Sequence, residues 1–153
     1  MDLVRGAGLH RVRKEYALRL VVISGILLLA TLFFAPWYDR GFVLDYEVTR
    51  TALEPPQGWL TVLAWLTTLA LLIEVVVTRI TTTGLPDVAV PWVRIQLVQA
   101  AVVFVCVLVK VAVTRYYAWG AWVGLLLAGT FAYAVWAAAG EPRFADIRQW
   151  RRS

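Results

Sequence analysis

Residues 91–113 read PWVRIQLVQAAVVFVCVLVKVAV and residues 118–139 read AWGAWVGLLLAGTFAYAVWAAA, with only Thr114-Arg115-Tyr116-Tyr117 between them. Each run is long enough to cross a hydrocarbon core of about 30 Å, which takes about 20 apolar helical residues. A segment in lipid must satisfy its own backbone hydrogen bonds, so a run of this kind is a helix. The short link makes the pair a tight antiparallel hairpin. Gly140-Glu141-Pro142 closes the second run with a helix-stop pattern.

Two more runs lie upstream. The first extends from Ala17 to Ala35, has no charge between Leu20 and Tyr38, and is stopped by Pro36. The second begins after Pro55-Pro56 and extends from Gly58 to Thr78, with Glu74 inside it. A cleaved signal peptide is the poorer reading of the first run. Its apolar core exceeds the usual length of about 7–15 residues, and no small-residue cleavage site follows. The expected fold is all-α: an integral membrane four-helix bundle forming a single domain over residues 1–153. Its spans are 17–35, 58–78, 91–113 and 118–139, with an outer loop at 37–57, an inner loop at 79–90 and a tail at 140–153.

Composition points the same way. Of the 153 residues, 61% are hydrophobic and 16% charged, and the mean hydropathy is +0.70. A small globule has too much surface to hide that apolar excess from water. One cysteine, Cys106, and one histidine, His10, are too few for the common zinc and haem ligand sets. No Ser–His–Asp or Cys–His set, no phosphate-cradling glycine loop and no carboxylate pair in one leaflet is legible. The expectation is therefore no enzyme, no cofactor and no metal.

The net charge of +5 comes almost entirely from arginine. In so apolar a chain it points to anionic lipid headgroups, not to nucleic acid. Arginine in place of lysine, with abundant Ala, Val and Leu, suggests a high-GC bacterial source, hence a multi-pass protein of the bacterial plasma (inner) membrane. Eleven Lys and Arg residues lie on the side of both termini and four on the other, which makes both termini cytoplasmic. Aromatic residues flank the spans in agreement. Trp37, Tyr38, Trp59, Tyr116, Tyr117 and Trp119 mark the outer boundary, and Tyr16, Trp92, Trp136 and Trp150 the inner one.

Both ends carry basic, amphipathic patterns. Leu9, Val12 and Tyr16 alternate with Arg11, Arg13 and Lys14, and Phe144, Ile147 and Trp150 with Arg143, Arg148, Arg151 and Arg152. These read as short inner-leaflet helices whose arginines and lysine meet lipid headgroups. The outer loop is acidic, and Phe42 to Thr49 alternates like a strand, read as part of a solvated loop folded over the bundle.

Inside the membrane three patterns stand out. Gln96, Gln99, Cys106 and Lys110 share one stripe of the third span, which should face the interior because polar groups in lipid are costly. Lys110 is near enough to the outer end to snorkel. Glu74 lies one turn inside Thr78, at a depth comparable to Arg94, Gln96 and Gln99, and these four form the expected intramembrane polar cluster. Glu74 is either a structural clamp, paired with Arg94 or hydrogen-bonded to the glutamines, or the coupling carboxylate of a transporter. On the fourth span Gly120, Gly124, Ala128 and Ala132 recur every four residues, a helix-packing seam. Ser24 and Thr31 form a weaker row on the first.

These readings favour a non-catalytic accessory or assembly subunit of a larger membrane complex. Its partners would be membrane lipids together with other membrane subunits or further copies of itself. The alternative is a small oligomeric transporter coupled to protons or cations through Glu74. A lipid-handling role for the arginine-rich inner face is a third possibility.

Overall fold

The computed structural model describes residues 2–43, 46–54, 57–80, 91–113 and 118–140, with side chains for 15–38, 50–54, 57–78, 91–113 and 118–140. Four helices and one hairpin make up the described chain: α1 (Asp2–Phe34), β1 (Tyr38–Val43), β2 (Tyr46–Arg50), α2 (Gly58–Ile80), α3 (Trp92–Val113) and α4 (Trp119–Ala138). All four helices contain a stretch long and apolar enough to cross a membrane: Glu15–Phe34, Gly58–Thr78, Trp92–Val113 and Trp119–Ala138.

α1 is one continuous helix of 33 residues, so its basic start is not a separate short helix. No proline interrupts it before Pro36, and Arg11, Arg13 and Lys14 are compatible with helix. At 1.5 Å per residue it is about 50 Å long, well beyond the hydrocarbon core. Pro36 ends it. The Ala35 amide still donates to the Thr31 carbonyl at 3.2 Å, and the Trp37 amide then turns to the Arg50 carbonyl at 2.7 Å.

That second bond starts the antiparallel hairpin. Tyr38 pairs with Arg50, Asp39 with Thr49, Phe42 with Glu47 and Val43 with Tyr46. Between Asp39 and Phe42 the first strand holds one residue more than its partner, a bulge at Arg40-Gly41. The four-helix fold is as expected, and the loop over residues 37–57 adds a two-stranded hairpin to it. The alternation of Phe42 to Thr49 is not one strand in a solvated loop; it spans parts of both arms. The sequence hides the division into two strands because residues 42–49 contain none of the glycines or asparagines that usually announce a hairpin.

After β2 the chain turns at residues 51–54, where the Glu54 amide donates to the Thr51 carbonyl at 3.3 Å. Glu54 Oε1 accepts from the Thr51 amide at 3.3 Å and from its hydroxyl at 3.4 Å, and Glu54 Oε2 lies 3.5 Å from Arg50 Nε. Gln57 takes a left-handed backbone with φ 59°, and its carbonyl accepts from the Leu60 amide at 3.1 Å. α4 is capped by Ala139 and followed by Gly140, whose φ of 88° suits a residue without Cβ.

The helices close into a ring in chain order. α1 packs on α2 and α4, and α3 on α2 and α4, the α1–α4 contact being the most extensive. The core they share draws Val21, Leu28 and Leu32 from α1, Ala64, Leu71 and Val75 from α2, Val103 and Val107 from α3, and Ala128, Phe131 and Ala134 from α4. Alanines let the axes approach, and Leu and Phe fill the space between. Gly25 belongs to this set: a Cβ there would lie 2.8 Å from Leu72 Cδ2 and 2.9 Å from Phe131 Cε2. Only 33–39% of each apolar span is buried. Large apolar residues such as Ile26, Phe34, Leu66, Val98 and Leu126 point outward. An apolar mantle of this extent needs lipid or a partner against it.

Candidate functional site: the polar clusters of the bundle

At the end of the bundle that carries the hairpin, the predicted seam of α4 receives the turn after α1. The Gly120 amide donates to the Pro36 carbonyl and the Ala118 amide to the Trp37 carbonyl, both at 3.1 Å. A Cβ at Gly120 would overlap the Pro36 carbonyl, and one at Gly124 would overlap the Trp37 ring. Ala128 is buried and Ala132 half-buried. The two glycines therefore admit a backbone turn and an indole. Trp37 is 1% exposed, and its Nε1 donates to the Thr31 carbonyl at 3.1 Å. Sequence reasoning missed this role by assigning Trp37 and Tyr38 to the lipid boundary. Both are buried, because the hairpin pairing holds Trp37 inward instead of letting the chain run on into the headgroups. Trp59 and Trp119 are exposed as boundary residues should be.

Beside this plug lies Lys110. It is 1% exposed, so it does not snorkel into open solvent. Its Nζ donates to the Ala52 carbonyl and stands 5.3 Å from the centre of the Tyr38 ring. The ammonium is thus covered by the segment between β2 and α2. A buried cation needs such acceptors to offset its lost hydration. Lys110, Tyr38 and Ala52 form a cluster that only the loop's path across the bundle could reveal.

At the opposite end of the bundle, α2 and α3 bring Glu74 and Gln99 together. Gln99 Nε2 donates to Glu74 Oε1 at 2.8 Å. The Glu74 main-chain carbonyl accepts from Thr78 Oγ1 at 2.9 Å. Two side-chain atoms of the pair, Glu74 Oε2 and Gln99 Oε1, are buried without a hydrogen-bond partner among the described residues. No ion pair joins Glu74 to Arg94 among those residues, and Arg94 has a contact of its own. The physical reason lies in the helical screw: five residues separate Arg94 from Gln99, which sets them about 140° apart around α3. Gln96 is half-buried on α3. The inward stripe continues through Cys106 to Lys110, both buried.

Other polar residues bond locally. Thr67 and Thr68 return their hydroxyls to the Leu63 and Ala64 carbonyls at 2.7 Å, Ser24 to the Leu20 carbonyl at 2.6 Å, and Thr31 to the Leu27 carbonyl at 2.8 Å. Such i−4 bonds make hydroxyls tolerable in an apolar helix. Thr61 is buried with its hydroxyl unpartnered among the described residues. Toward the N-terminal half of α1, a groove of about 510 Å³ opens between α1 and α2, lined by Glu15, Leu18, Arg19, Val22, Ile23 and Val75.

The backbone of Arg11, Arg13 and Lys14 lies in α1, but their side chains fall outside the described residues, as do Arg143, Arg148, Arg151 and Arg152, most of the inner loop and the 114–117 link. Among the described residues no group of three or more His, Cys, Asp or Glu side chains is placed to hold a metal ion.

Four apolar spans, an outward apolar mantle and a few internally bonded polar groups define the class: a multi-pass helical membrane protein. No protein-family model, no curated protein and no solved structure gives a significant match to this chain.

Proposed function

We propose that the chain is a non-catalytic accessory or assembly subunit of a larger membrane complex. The observation that carries this reading is where the chain spends its polar groups. Lys110 ties α3 to the outer turn, Gln99 ties α3 to α2, and the α4 glycines receive the Pro36-Trp37 turn. These contacts hold a scaffold together, while its apolar outer faces are offered to lipid and neighbouring subunits. Both termini are cytoplasmic, by the excess of Lys and Arg on that side. Arg11, Arg13, Lys14, Arg143, Arg148, Arg151 and Arg152 engage anionic headgroups there. The membrane is the plasma membrane of a bacterium, supported by the arginine-rich, lysine-poor composition.

Native mass spectrometry of the protein released from mild detergent tests this. The expected result is a defined assembly holding a second membrane subunit, whose cellular level falls when this chain is deleted. A monodisperse assembly of this chain alone that drives proton-coupled uptake in vesicles would overturn it.

A second reading has its own observation in favour: a carboxylate within an apolar span with one oxygen unpartnered among the described residues. In that reading the chain is a small oligomeric transporter and Glu74 carries the coupling proton or cation.

A further inference from the structure

We propose that Glu74 and Gln99 form a proton-binding site in the seam between α2 and α3, in which a proton on Glu74 Oε2 bridges to Gln99 Oε1. The carboxyl and the carboxamide are each two-pronged. One prong of each is joined, Gln99 Nε2 to Glu74 Oε1 at 2.8 Å. The other prong of each is a buried oxygen with no hydrogen-bond partner among the described residues. Two oxygens without hydrogen cannot bond to each other, and leaving both buried is costly.

One proton removes both deficits. The ionised carboxyl takes up a proton from the inner interface, Oε2 becomes a donor, and Gln99 Oε1 becomes its acceptor. The acid and the primary amide then share two hydrogen bonds, and the seam carries no net charge. A metal ion fits less well, since hard cations gather six or more oxygens and this point supplies one carboxyl and one carboxamide.

The charged side chains described on the same half of the neighbouring helices are Arg94 of α3 and Glu15 and Arg19 of α1. Arg94 on α3 makes no ion pair with Glu74 among the described residues and has its own contact. Glu15 and Arg19 on α1 line the α1–α2 groove with Val75. Glu74 stands four residues before Thr78, where the apolar span of α2 ends, so the proton need not cross the membrane to arrive. The inference concerns side-chain chemistry and rests on neither reading of the protein's role.

Infrared spectroscopy of the full chain in lipid nanodiscs at neutral pH tests it. The expected result is a protonated-carboxyl C=O band in the wild type that moves on labelling with ¹³C-glutamate and disappears in Glu74→Gln. The same band shifts upward in Gln99→Leu as its hydrogen bonds are lost. If Gln99→Leu does not fold, Gln99→Asn takes its place, since it keeps the amide but draws it back by one methylene. Three results would overturn the proposal: only ionised-carboxylate bands assignable to Glu74, a protonated band that survives Glu74→Gln, or a band unmoved by the change at Gln99. A carboxylate band that responds to exchange of sodium for choline would also overturn it, by making a metal cation the occupant.

Discussion

Lys110 lies under the turn that follows β2, with 1% of its surface exposed and its ammonium on the Ala52 carbonyl. Replacing it with methionine keeps the length and removes the donor, which strands a carbonyl on a residue that is itself 0% exposed. Lys110→Met should therefore cost about 1–3 kcal/mol, the usual penalty of an orphaned buried polar group. A thermal melt in detergent reads the loss, and an unchanged melt would mean that Lys110 does not tie the turn down. Glu74 gives a sharper contrast. Glu74→Gln replaces the acid with an amide that can still meet Gln99 through two hydrogen bonds, so stability should hold. Glu74→Leu leaves the Gln99 carboxamide alone in an apolar seam and should cost about 0.5–2 kcal/mol, the scale of interhelical hydrogen bonds in membranes. The transporter reading expects a different pattern: Glu74→Gln is stable but loses proton-driven uptake, because an amide cannot exchange the proton. Measuring melts and uptake for both variants decides between the roles.

The α1–α4 contact depends on matched shapes contributed by two distant segments. Gly120 and Gly124 admit the turn after α1, and Trp37 occupies the space that Gly124 leaves. Trp37→Ala should cost about 3–5 kcal/mol, as for other buried large-to-small changes. Gly124→Leu should disrupt folding in the wild-type background because its side chain and the indole claim the same volume. In a Trp37→Ala background the Gly124→Leu penalty should shrink, because the competing ring is gone. Denaturation of the two single variants and the double variant closes the cycle, and strictly additive losses would show that the ring and the glycine do not share the space. The β1–β2 hairpin follows from the same contact. Its first strand starts at Tyr38, immediately after the residue that anchors it in the bundle.

Across the protein, the ring of helices buries only a third or so of each span. The remainder is solvated by lipid or covered by a partner, and in water it would drive aggregation. Topology is the property on which all depth arguments rest. Reporter fusions at Ser153 and near Glu47 should report opposite sides of the membrane, with the C-terminus in the cytoplasm. Finding both on one side would remove the assigned inner and outer ends.

The four spans were legible because their cause is local: about 20 apolar residues in a row meet the thickness of a bilayer wherever they occur. Their edges follow from equally local signals, with Pro36 ending α1 and Gly140 closing α4. The inward stripe of α3 and the meeting of Glu74 with Gln99 also lay within reach, since helical periodicity and a common depth place them. The partners at the hairpin end of the bundle were not legible. Trp37 looks like a boundary aromatic and Lys110 like a snorkelling cation, because both types favour the headgroup zone when nothing else holds them. Their burial depends on a turn, a hairpin and a glycine pair separated by dozens of residues, which become neighbours only when α1 packs against α4. Arg94 shows the same limit from the other direction. Its depth matches Glu74, but its angle around α3 turns it away from Gln99, and which face of a helix meets its neighbour is set by packing that a linear pattern does not contain.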